Sequence, residues 1–444
     1  MKENQKINRR TLLKSAIALS ATVPISVRMF ATPELKEKAR IGIVGSGRRG
    51  HFLVDLLTRK SDVEVRAIAD IIPQHAQQTQ ELCKQRQDFV PELYCQGERD
   101  FERLVQRDDL DCVICATPWE WHTPVAIATM KAGKISALEV PGAVTLDECW
   151  ALIKTSEQTK QPCYLLENVC YFQEPLTILR MIREGLFGEV LHAQGGYQHD
   201  CRFLLADEKG KLTWRGEIHR QKRGNTYPTH PLGPISQWLD INRGDRFISL
   251  VSISTRAEGV KEYFKSKFGE NHPLCSLEYT LGDVNTSMLQ TAQGKSVVLY
   301  HDTSLPRPYD LIFRLQGTKG IYYGSFQKIY LEGISPQKDT WEDFAPYMEK
   351  YPHPLWTEYG KNNEIKGGHG LGDYITVREL VRAVRTGITS LPDVYDNATW
   401  SAVVDLSEQS VRMGGEKVNF PDFTNGKWKD IPKLPIIQLP ENWT

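Results

Sequence analysis

The chain has 444 residues, of which 40% are hydrophobic and 25% charged, and this composition excludes a disordered, collagen-like or low-complexity protein. Its 55 basic and 55 acidic residues give a formal net charge of +0. Such a balance does not favour binding to nucleic acid or to an anionic membrane, because both require a basic surface. The nine scattered cysteines show neither metal-ligand spacing nor a disulfide framework. The length suits two or three domains.

Residues 1–31 are typical of an export signal. Arg9 and Arg10 precede an apolar run at 15–23 that is too short to span a bilayer as a helix. Small residues near Ala31 suit a cleavage site, and paired arginines resemble the twin-arginine type of signal. We therefore expect a periplasmic or secreted protein that makes no membrane contact in its mature form. A frayed basic N terminus is the alternative.

From residue 38 to residue 170, apolar runs alternate with helical patterns. The predicted strands are 41–44, 63–70, 111–116, 135–139 and 161–167, and helices are predicted at 52–58, 123–132 and 145–159. The last of these helices begins at a capping box formed by Thr145 and Glu148. Alternating strands and helices predict a parallel sheet with helices on both faces, which is an α/β domain.

The pattern of residues 171–444 is different, because strands follow one another without helices between them. Strands are predicted at 190–200, 247–256, 274–281, 283–291, 295–302 and 309–316, and helices at 373–385 and 394–413. The stretch 327–368 is rich in Pro, Gly and aromatic residues and predicts long loops. We expect an α+β domain with a large open, mainly antiparallel sheet, whose C-terminal helices pack back on the first domain.

A glycine motif, Gly-Ser-Gly-Arg-Arg-Gly at residues 45–50, follows the first strand and precedes a helix, which is the context that dinucleotide binding requires. Asp70 lies 20 residues after Gly50, at the end of the second strand. Its carboxylate would accept hydrogen bonds from a ribose diol and repel a 2′-phosphate, so NAD is favoured over NADP. Arg48 and Arg49 leave NADP open. The alternative is a tight turn beside a structural aspartate.

Three further polar segments end neighbouring strands of the same sheet. Residues 117–122 read Thr-Pro-Trp-Glu-Trp-His, residues 139–142 read Glu-Val-Pro-Gly, and Glu167-Asn168 ends the fifth strand. Ligands of parallel sheets bind at the carboxyl ends of the strands, so these side chains are expected to line the cofactor. The alternative for the two tryptophans is core packing.

These motifs resemble the sugar oxidoreductases typified by glucose-fructose oxidoreductase and inositol dehydrogenase, which combine a Rossmann domain with an open-sheet domain. Most members of that family carry Glu-Lys-Pro, and the lysine aids proton transfer from the sugar hydroxyl. This chain has Val140 at the lysine position, and its side chain can neither donate nor accept a proton. An ordinary dehydrogenase is therefore disfavoured, although an exported NAD(P)-dependent sugar oxidoreductase stays the alternative function.

Six strings closely resemble the NAD-dependent α-N-acetylgalactosaminidases of glycoside hydrolase family 109. They are residues 119–122, 167–171, 195–200, 227–230, 301–304 and 421–428, and the similarity covers essentially the whole mature chain. The resemblance implies removal of a terminal α-linked N-acetylgalactosamine from a glycan. It implies oxidation at C-3 by NAD, loss of the C-2 proton with elimination at C-1, addition of water, and re-reduction. This route needs proton-transfer groups more than the usual pair of carboxylates.

The resemblance also implies roles for particular residues. Together with Gly45 and Gly47 of the glycine motif, the NAD contacts are Arg48, Arg49, Asp70, Trp119, Glu120, Trp121, His122, Glu139, Val140 and Asn168. The sugar pocket is lined by Tyr197, Arg215, Tyr227, Pro228, Thr229, His230 and Tyr309. The catalytic residues are Tyr197, His199 and His230.

His230 and Tyr197 are the favoured acid–base pair. Histidine exchanges protons near neutral pH, and tyrosine can act as a base when its pKa is lowered. His369 is either a pocket residue or part of a turn. A non-catalytic sugar-binding protein with structural NAD is a third interpretation, and no metal is expected. A homo-oligomer through the open sheet face is possible.

Overall fold

The computed structural model of the protein describes residues 36–361, 365 and 368–439. The expected signal at 1–31 lies outside the described residues. The first domain contains a six-stranded sheet in the order β3-β2-β1-β4-β5-β6, and every neighbouring pair of its strands is parallel. The strands are β1 (Ala39–Val44), β2 (Val63–Ala69), β3 (Glu92–Tyr94), β4 (Cys112–Cys115), β5 (Ile135–Leu138) and β6 (Cys163–Leu165).

Helices connect these strands, so the α/β prediction is confirmed. They are α1 (Arg48–Leu57), α2 (Pro73–Lys84), α3 (Phe101–Val105), α4 (His122–Lys131) and α5 (Leu146–Thr159). Consecutive residues of β4, such as Val113 and Ile114, are fully buried, because both faces of the sheet are covered. Helix α5 begins at the expected capping box, in which the Thr145 hydroxyl accepts a hydrogen bond from the Glu148 N–H at 3.2 Å.

The second domain contains a nine-stranded sheet in the order β14-β13-β12-β11-β7-β10-β9-β8-β15. Neighbouring strands are antiparallel except β7 and β10, which run parallel, so the mainly antiparallel sheet is confirmed. The strands are β7 (Val190–Gln198), β8 (Phe247–Ser254), β9 (Asn285–Thr291), β10 (Ser296–Asp302), β11 (Arg314–Gly317), β12 (Gly320–Tyr323), β13 (Lys328–Leu331), β14 (Glu342–Asp343) and β15 (Val418–Asn419).

Eight further helices accompany this sheet in the described part of the chain. They are α6 (Gln173–Arg183), α7 (Trp214–Gln221), α8 (Thr229–Leu239), α9 (Gly259–Phe268), α10 (Ala345–Lys350), α11 (Pro354–Gly360), α12 (Leu371–Thr386) and α13 (Val394–Arg412). Helices α12 and α13 contact the first domain. Asp62, just before β2, pairs with Arg378 at 2.7 Å and with Arg385 at 2.6 Å, and the Ser401 hydroxyl accepts a hydrogen bond from the Gly142 N–H.

Three local predictions for the second domain are wrong. Residues 274–281 form no strand, since Pro273–Ser276 is a 3-10 helix whose Leu274 packs into a small separate core. The predicted strand at 309–316 begins only at Arg314. The stretch 327–368 is not all loop, because it contains β13, β14, α10 and α11. Short helices that begin at a proline, as α11 does, give little of the apolar periodicity on which such predictions depend.

Within the described residues, no helix combines the length and apolar character that crossing a membrane requires. The same residues contain no group of three or more His, Cys, Asp or Glu side chains placed to hold a metal ion.

Candidate active site

The glycine motif forms a tight turn between β1 and α1. Gly45 has φ of +83°, and a Cβ there would lie 2.8 Å from the backbone of Ala116. Only glycine fits this conformation and this close approach. A Cβ on Gly47 would meet nothing closer than 3.8 Å, and no side chain caps the N terminus of α1. The first turn of α1 therefore presents backbone N–H groups to the open side of the loop, where a phosphate can bind.

Asp70 lies at the end of β2 beside this loop. One oxygen of its carboxylate accepts a hydrogen bond from the Ser46 N–H at 2.7 Å, and the other accepts one from the Ile72 N–H at 2.8 Å. These bonds fix the carboxylate next to the glycine loop while leaving further acceptor positions for a ribose diol. The loop and the carboxylate together fit a dinucleotide without a 2′-phosphate, which is NAD. Arg48, beside them, is exposed.

In the segment after β4, the side chains of residues 119–122 lie in four different environments. Trp119 is buried and packs against Tyr227, with ring centroids 5.5 Å apart, so it faces the second domain. Glu120 is exposed, and Trp121 packs edge-on against Phe101. His122 is buried with its ring nitrogens 2.7 and 3.0 Å from the backbone carbonyls of Pro141 and Thr117, so it ties two loops of the sheet edge together. Whether Glu120, Trp121 and His122 contact NAD stays a prediction.

Four polar side chains, here named the charged cluster, join the glycine loop to the second domain. Arg49 lies 2.7 Å from a Glu139 oxygen and 2.8 Å from Asp373 Oδ1. Asn168 donates a hydrogen bond to the same Asp373 oxygen at 2.7 Å. The side chains of Asp373 and Asn168 are buried. Val140, next to Glu139, is buried and apolar.

The charged cluster shifts the pKa of its two carboxyl groups in opposite directions. Burial raises the pKa of Glu139 despite the Arg49 guanidinium. Burial also acts on Asp373, but the hydrogen bond from His369 and the charge of Arg49 outweigh it and lower the pKa of that carboxyl. Asp373 is therefore a fixed anion that holds Arg49 and Asn168 in place.

Five aromatic side chains form a second group, here named the ring cluster: Tyr197, His199, Tyr227, His230 and Tyr309. The Tyr197 hydroxyl lies 3.2 Å from His199 Nδ1, and the Tyr197 ring centroid lies 4.5 Å from that of Tyr227 and 5.3 Å from that of His230. Tyr309 packs edge-on against His199 at 5.0 Å. The structure thus brings together these five predicted residues, which come from β7, from the start of α8 and from the loop before β11.

His230 is oriented by Glu167, which the sequence analysis placed beside the cofactor without giving it a role at His230. Its Nδ1 lies 2.7 Å from Glu167 Oε1, and both side chains are buried. The same oxygen accepts a hydrogen bond from the Val169 N–H. If Nδ1 donates to Glu167, Nε2 is the atom of His230 that can exchange a proton with a bound molecule. The sequence analysis noted Glu167 at the end of a predicted strand. Because 63 residues separate it from His230, nothing in the sequence indicated that the two side chains pair.

The environment of Tyr197 favours its protonated form. Burial and the neighbouring Tyr227 raise the pKa of Tyr197 well above its ordinary value. In the chain by itself Tyr197 therefore keeps its proton at neutral pH. Burial lowers the pKa of His199, which is consequently neutral and able to accept a proton.

The Arg215 guanidinium contacts two indole rings that pack edge-to-face against each other, and it lies 5.0 Å from the Trp119 centroid and 4.4 Å from the Trp214 centroid. These two cation–π contacts hold the guanidinium in the pocket that Tyr197 and Tyr227 also line. Pro228 and Thr229 begin α8 and are buried. The Thr229 hydroxyl has no hydrogen-bond partner among the described residues.

Behind the ring cluster lies a pocket, here named the inner cavity. Tyr197, Tyr227, Trp119 and Arg215 form the wall that it shares with the site. The pocket is also lined by His219 of α7 and by His301 of β10, which is the cross-strand neighbour of Tyr197, and neither was predicted as a site residue.

His369 lies where the charged and ring clusters meet. Its backbone N–H donates to Asp373 at 2.7 Å, and its ring lies 5.9 Å from that of His230. It is therefore a pocket residue held by a turn. Asp373 was missed in the prediction because its partner Arg49 is 324 residues away.

Comparison with known proteins divides the chain into the same two domains. Residues 39–166 match the oxidoreductase family with an NAD-binding Rossmann fold, and residues 171–430 match the C-terminal domain of glycosyl hydrolase 109. A glycosyl hydrolase family 109 protein of a Shewanella species (strain MR-4) is 40% identical over 95% of this chain and 93% of its own length. An alpha-N-acetylgalactosaminidase of Shewanella oneidensis has the same identity and coverage.

The chain belongs to glycoside hydrolase family 109. Solved structures share its fold at low identity. An NAD-binding oxidoreductase from Klebsiella pneumoniae has a TM-score of 0.68 at 17% identity, covering 87% of this chain and 100% of that one. Levoglucosan dehydrogenase in complex with NADH has a TM-score of 0.65 at 19% identity, covering 86% and 99%.

Family 109 membership confirms two predictions from the sequence. The first domain is an NAD-binding Rossmann domain, and the chain is a glycosidase that depends on NAD. The alternative of an ordinary sugar oxidoreductase is not favoured, in keeping with the apolar Val140.

Proposed function

We propose that this member of family 109 hydrolyses terminal α-linked N-acetylgalactosamine from glycans. The observation that supports this proposal most directly is the His230–Glu167 pair, which lies beside Tyr197 and His199 at the edge of the sheet where the NAD domain ends. The printed activity of the Shewanella oneidensis relative supports the sugar and the linkage. No assignment of substrate rests on the fold, because related folds act on different sugars.

NAD, when bound, supplies a hydride acceptor and donor for C-3 of the sugar, so a full cycle has no net redox change. The glycine loop, Asp70 and the charged cluster would hold it. Asp373 keeps Asn168 and Arg49 at the edge of the sheet, and the buried Val140 presents an apolar side chain there.

His230 is the base in this proposal. Its Nε2 takes a proton from the sugar, and the buried Glu167 carboxylate stabilises the resulting imidazolium through Nδ1. The arrangement is a histidine held in one orientation by an acid, which fixes which nitrogen reacts.

Tyr197 is the proton donor. Its raised pKa keeps the phenol protonated until a bound group requires the proton. The neutral His199, 3.2 Å away and partly exposed, links that hydroxyl to solvent. Arg215 and Tyr309 position the sugar hydroxyls.

The three carboxylates near the site are already engaged with protein partners. Glu167 holds His230, while Glu139 and Asp373 hold Arg49. A pair of free carboxylates facing one bond, which most glycosidases use, is not formed by these three. This favours the route through C-2 and C-3.

The first test is release of 4-nitrophenol from 4-nitrophenyl α-N-acetylgalactosaminide by the purified protein without added NAD. The proposal expects turnover without accumulation of NADH, and extraction should recover NAD at near one molecule per chain. A protein that hydrolyses no aryl glycoside but accumulates NADH with free sugars would instead be the oxidoreductase alternative. Recovery of NADP alone, or full activity without nucleotide, would contradict the cofactor assignment.

The second test follows the C-2 hydrogen. Turnover in deuterated water should place deuterium at C-2 of the released sugar, because the C-2 proton leaves and is replaced during the cycle. Mass spectrometry or proton NMR of the product measures it. Released sugar with protium at C-2 would rule out the elimination route.

A further proposal concerns location: the protein is exported by the twin-arginine route. Arg9-Arg10 and the short apolar run at 15–23 support it. The double variant Arg9→Lys, Arg10→Lys should stay in the cytoplasm, whereas Lys14→Arg should be exported as before. Export of both would contradict the proposal.

A last proposal is self-association through the open face of the nine-stranded sheet. Met288 and Ile253 on neighbouring strands are 54% and 62% exposed, and apolar exposure of this kind is typical of a contact surface. Met288→Lys should lower the mass measured by sedimentation, while Gln78→Lys, at an exposed position on α2 of the first domain, serves as its control. An unchanged mass would remove this face as the contact.

A further inference from the structure

Two histidine–carboxylate pairs lie next to each other where the charged and ring clusters meet. His230 and Glu167 form the first pair, as described above. In the second, Nδ1 of His369 lies 3.4 Å from Oδ2 of Asp373, and the His369 ring centroid lies 5.9 Å from that of His230. Asn168, the residue after Glu167, donates to the other oxygen of Asp373, so the two pairs are held in one arrangement. The proton transfers proposed so far use only the first pair.

The turn that carries His369 holds its side chain in place, although 38% of that side chain is exposed. Gly368 has φ of +54°, and a Cβ there would lie 2.5 Å from the Phe52 ring and 2.6 Å from Asp373 Oδ2, so the turn requires glycine. The His369 N–H donates to the same Asp373 oxygen at 2.7 Å, and the imidazole packs against the Phe172 ring at 6.0 Å. The imidazole is therefore oriented and also in contact with solvent.

The Asp373 carboxylate decides which nitrogen of His369 can react. It faces Nδ1, which leaves Nε2 to accept a proton from a bound molecule. A protonated His369 would lie beside a fixed anion, and an adjacent opposite charge favours the charged form of an ionisable group. The pair therefore has the same design as His230 with Glu167, a histidine oriented and stabilised by an acid.

The proposed route needs two proton acceptors in succession. Oxidation at C-3 releases the hydroxyl proton, and the next step releases the proton at C-2. A single histidine would have to lose the first proton to solvent before it could take the second, and His230 is only 3% exposed. Val140, at the nearby edge of the sheet, has an apolar side chain and accepts no proton. The exposed and oriented His369 can take one of the two.

The position of His369 assigns it to the C-3 hydroxyl. Its partner Asp373 also binds Arg49 at 2.8 Å, so His369 is attached to the charged cluster that would hold NAD. The hydroxyl that loses its proton during oxidation must lie beside the cofactor, because the hydride leaves the same carbon. His230 lies instead against Tyr197, the proposed proton donor, with 5.3 Å between the ring centroids.

We propose that His369 is a second catalytic base, which takes the proton of the C-3 hydroxyl, while His230 takes the proton at C-2. The proposal rests on the proposed function, which supplies the oxidation at C-3. In that step the C-3–H bond breaks, and the hydrogen leaves with both electrons to NAD, which is reduced to NADH. The O–H bond breaks as well; its proton goes to Nε2 of His369, and its electron pair completes the carbonyl double bond. The final re-reduction reverses both transfers.

The first test replaces the base by a side chain that stays polar. His369→Gln cannot accept a proton at neutral pH, so kcat for 4-nitrophenyl α-N-acetylgalactosaminide should fall by about 100-fold, the scale of a lost general base. Extracted NAD should be unchanged, because Arg49 and Asp373 keep their contact. His272→Gln is the matched control, at a partly exposed histidine that stacks on Phe268, and should keep full turnover.

The decisive comparison uses the same aryl glycoside already oxidised to the ketone at C-3. Release of 4-nitrophenol from this 3-oxo substrate requires removal of the C-2 proton alone, so it bypasses the step assigned to His369. After subtraction of spontaneous release, His369→Gln should be nearly as fast as the unchanged protein, whereas His230→Gln should be slow with both substrates. Equal losses for His369→Gln with the two substrates would overturn the proposal.

Calorimetric binding gives a readout that requires no turnover. The unchanged protein should bind N-acetylgalactosamine more tightly than its 3-deoxy analogue, because the C-3 hydroxyl donates to His369. His369→Ala should reduce this preference by roughly fivefold, the scale of one hydrogen bond, and His369→Gln should retain it. A preference that is unaltered in His369→Ala would show that His369 does not contact the C-3 hydroxyl.

Failure of this inference and failure of the proposed function give different results. Near-normal kcat in His369→Gln would leave the glycosidase intact and remove the second base. A protein that hydrolyses no aryl glycoside but forms NADH from free sugars, much more slowly in His369→Gln, would lose the proposed function while His369 stays the base at the hydroxyl.

Discussion

The charged cluster and the ring cluster meet at His369 but are built on different principles. In the charged cluster, Arg49, Glu139, Asn168 and Asp373 satisfy one another through ion pairs and hydrogen bonds across the two domains. In the ring cluster, the side chains contact mainly through aromatic edges, and their hydroxyl and imidazole groups keep hydrogen-bonding capacity for a ligand. Fixed charge thus serves positioning in the charged cluster, whereas the ring cluster presents the groups that can exchange protons with a ligand.

The strongest test of this comparison removes a proton-transfer group. His230→Ala and Tyr197→Phe should each lower turnover by ~100-fold or more, the usual scale for losing a positioned acid or base. Bound NAD should be unchanged, because the glycine loop and Asp70 hold it in the other domain. Turnover and extracted nucleotide are measured on the same preparations.

Asp70→Ala provides the reverse pattern, with loss of NAD first and of activity as a consequence. A misfolded variant would lose both together in every case. Near-normal rates for His230→Ala and Tyr197→Phe with cofactor in place would show that the ring cluster is not the proton-transfer site.

The second test breaks the charged cluster. Arg49→Met leaves Glu139 and Asp373 as buried carboxylates without the Arg49 cation, so the free energy of unfolding should fall by about 3 kcal/mol. Urea unfolding measures this. Arg59→Met is the control, since Arg59 pairs with Asp55 on the helix surface and such pairs contribute about 0.5 kcal/mol or less. Equal losses for the two variants would mean that the charged cluster does not hold the domains together.

The third test separates positioning from proton transfer. Glu167→Gln keeps an acceptor for the Val169 N–H but removes the negative charge beside His230. We expect kcat to fall roughly tenfold, the scale of one charge-assisted hydrogen bond, with KM and bound NAD unchanged. Glu174→Gln, at a carboxylate bonded to Gln327, is the control. A rise in KM without loss of kcat would assign Glu167 to substrate binding instead.

The fourth test concerns the pH dependence of stability. The pKa of His301 is about 3 in the folded chain, below its ordinary value of 6.5, so below pH 6.5 the unfolded chain binds more protons than the folded chain. Stability should therefore decrease as the pH falls from about 6.5 towards 3, by up to about 1.4 kcal/mol per pH unit for this group.

His301→Gln should have a flatter dependence between pH 7 and pH 5, measured by urea unfolding at several pH values. The partly exposed His272 gives the control variant His272→Gln, which should keep the original slope. An unaltered slope in His301→Gln would show that His301 is protonated in the folded chain.

Local sequence was enough to predict most of the first domain, although the short strand β3 (Glu92–Tyr94) was not predicted. The glycine turn and the capping box of α5 depend on residues close in sequence, and Asp70 was found by its fixed spacing from the glycine motif. The second domain was predicted less well. Helix α8 contains Pro231 and Pro234, which obscure a helical pattern, and it is held by burial against β7 instead.

The sequence predicted the site residues that carry recognisable chemistry, but it did not predict the groups that hold those residues in place. Tyr197, Tyr227 and His230 come from strings with a family resemblance. Glu167 and Asp373 act through partners 63 and 324 residues away, and no periodicity in the sequence indicates such a pairing. That His219 and His301 line one pocket was not predicted for the same reason, because they are 82 residues apart in the sequence.

Helix α12 is fastened to the first domain at both ends. Asp373 in its first turn pairs with Arg49, and Arg385 in its last turn pairs with Asp62, so the two attachments are separated by most of a helix about 24 Å long. A clamshell opening between the two sheets would have to break both attachments at once. We therefore expect the dinucleotide to exchange with the surroundings far more slowly than the sugar does, so that it behaves as a prosthetic group with a residence time of many catalytic cycles.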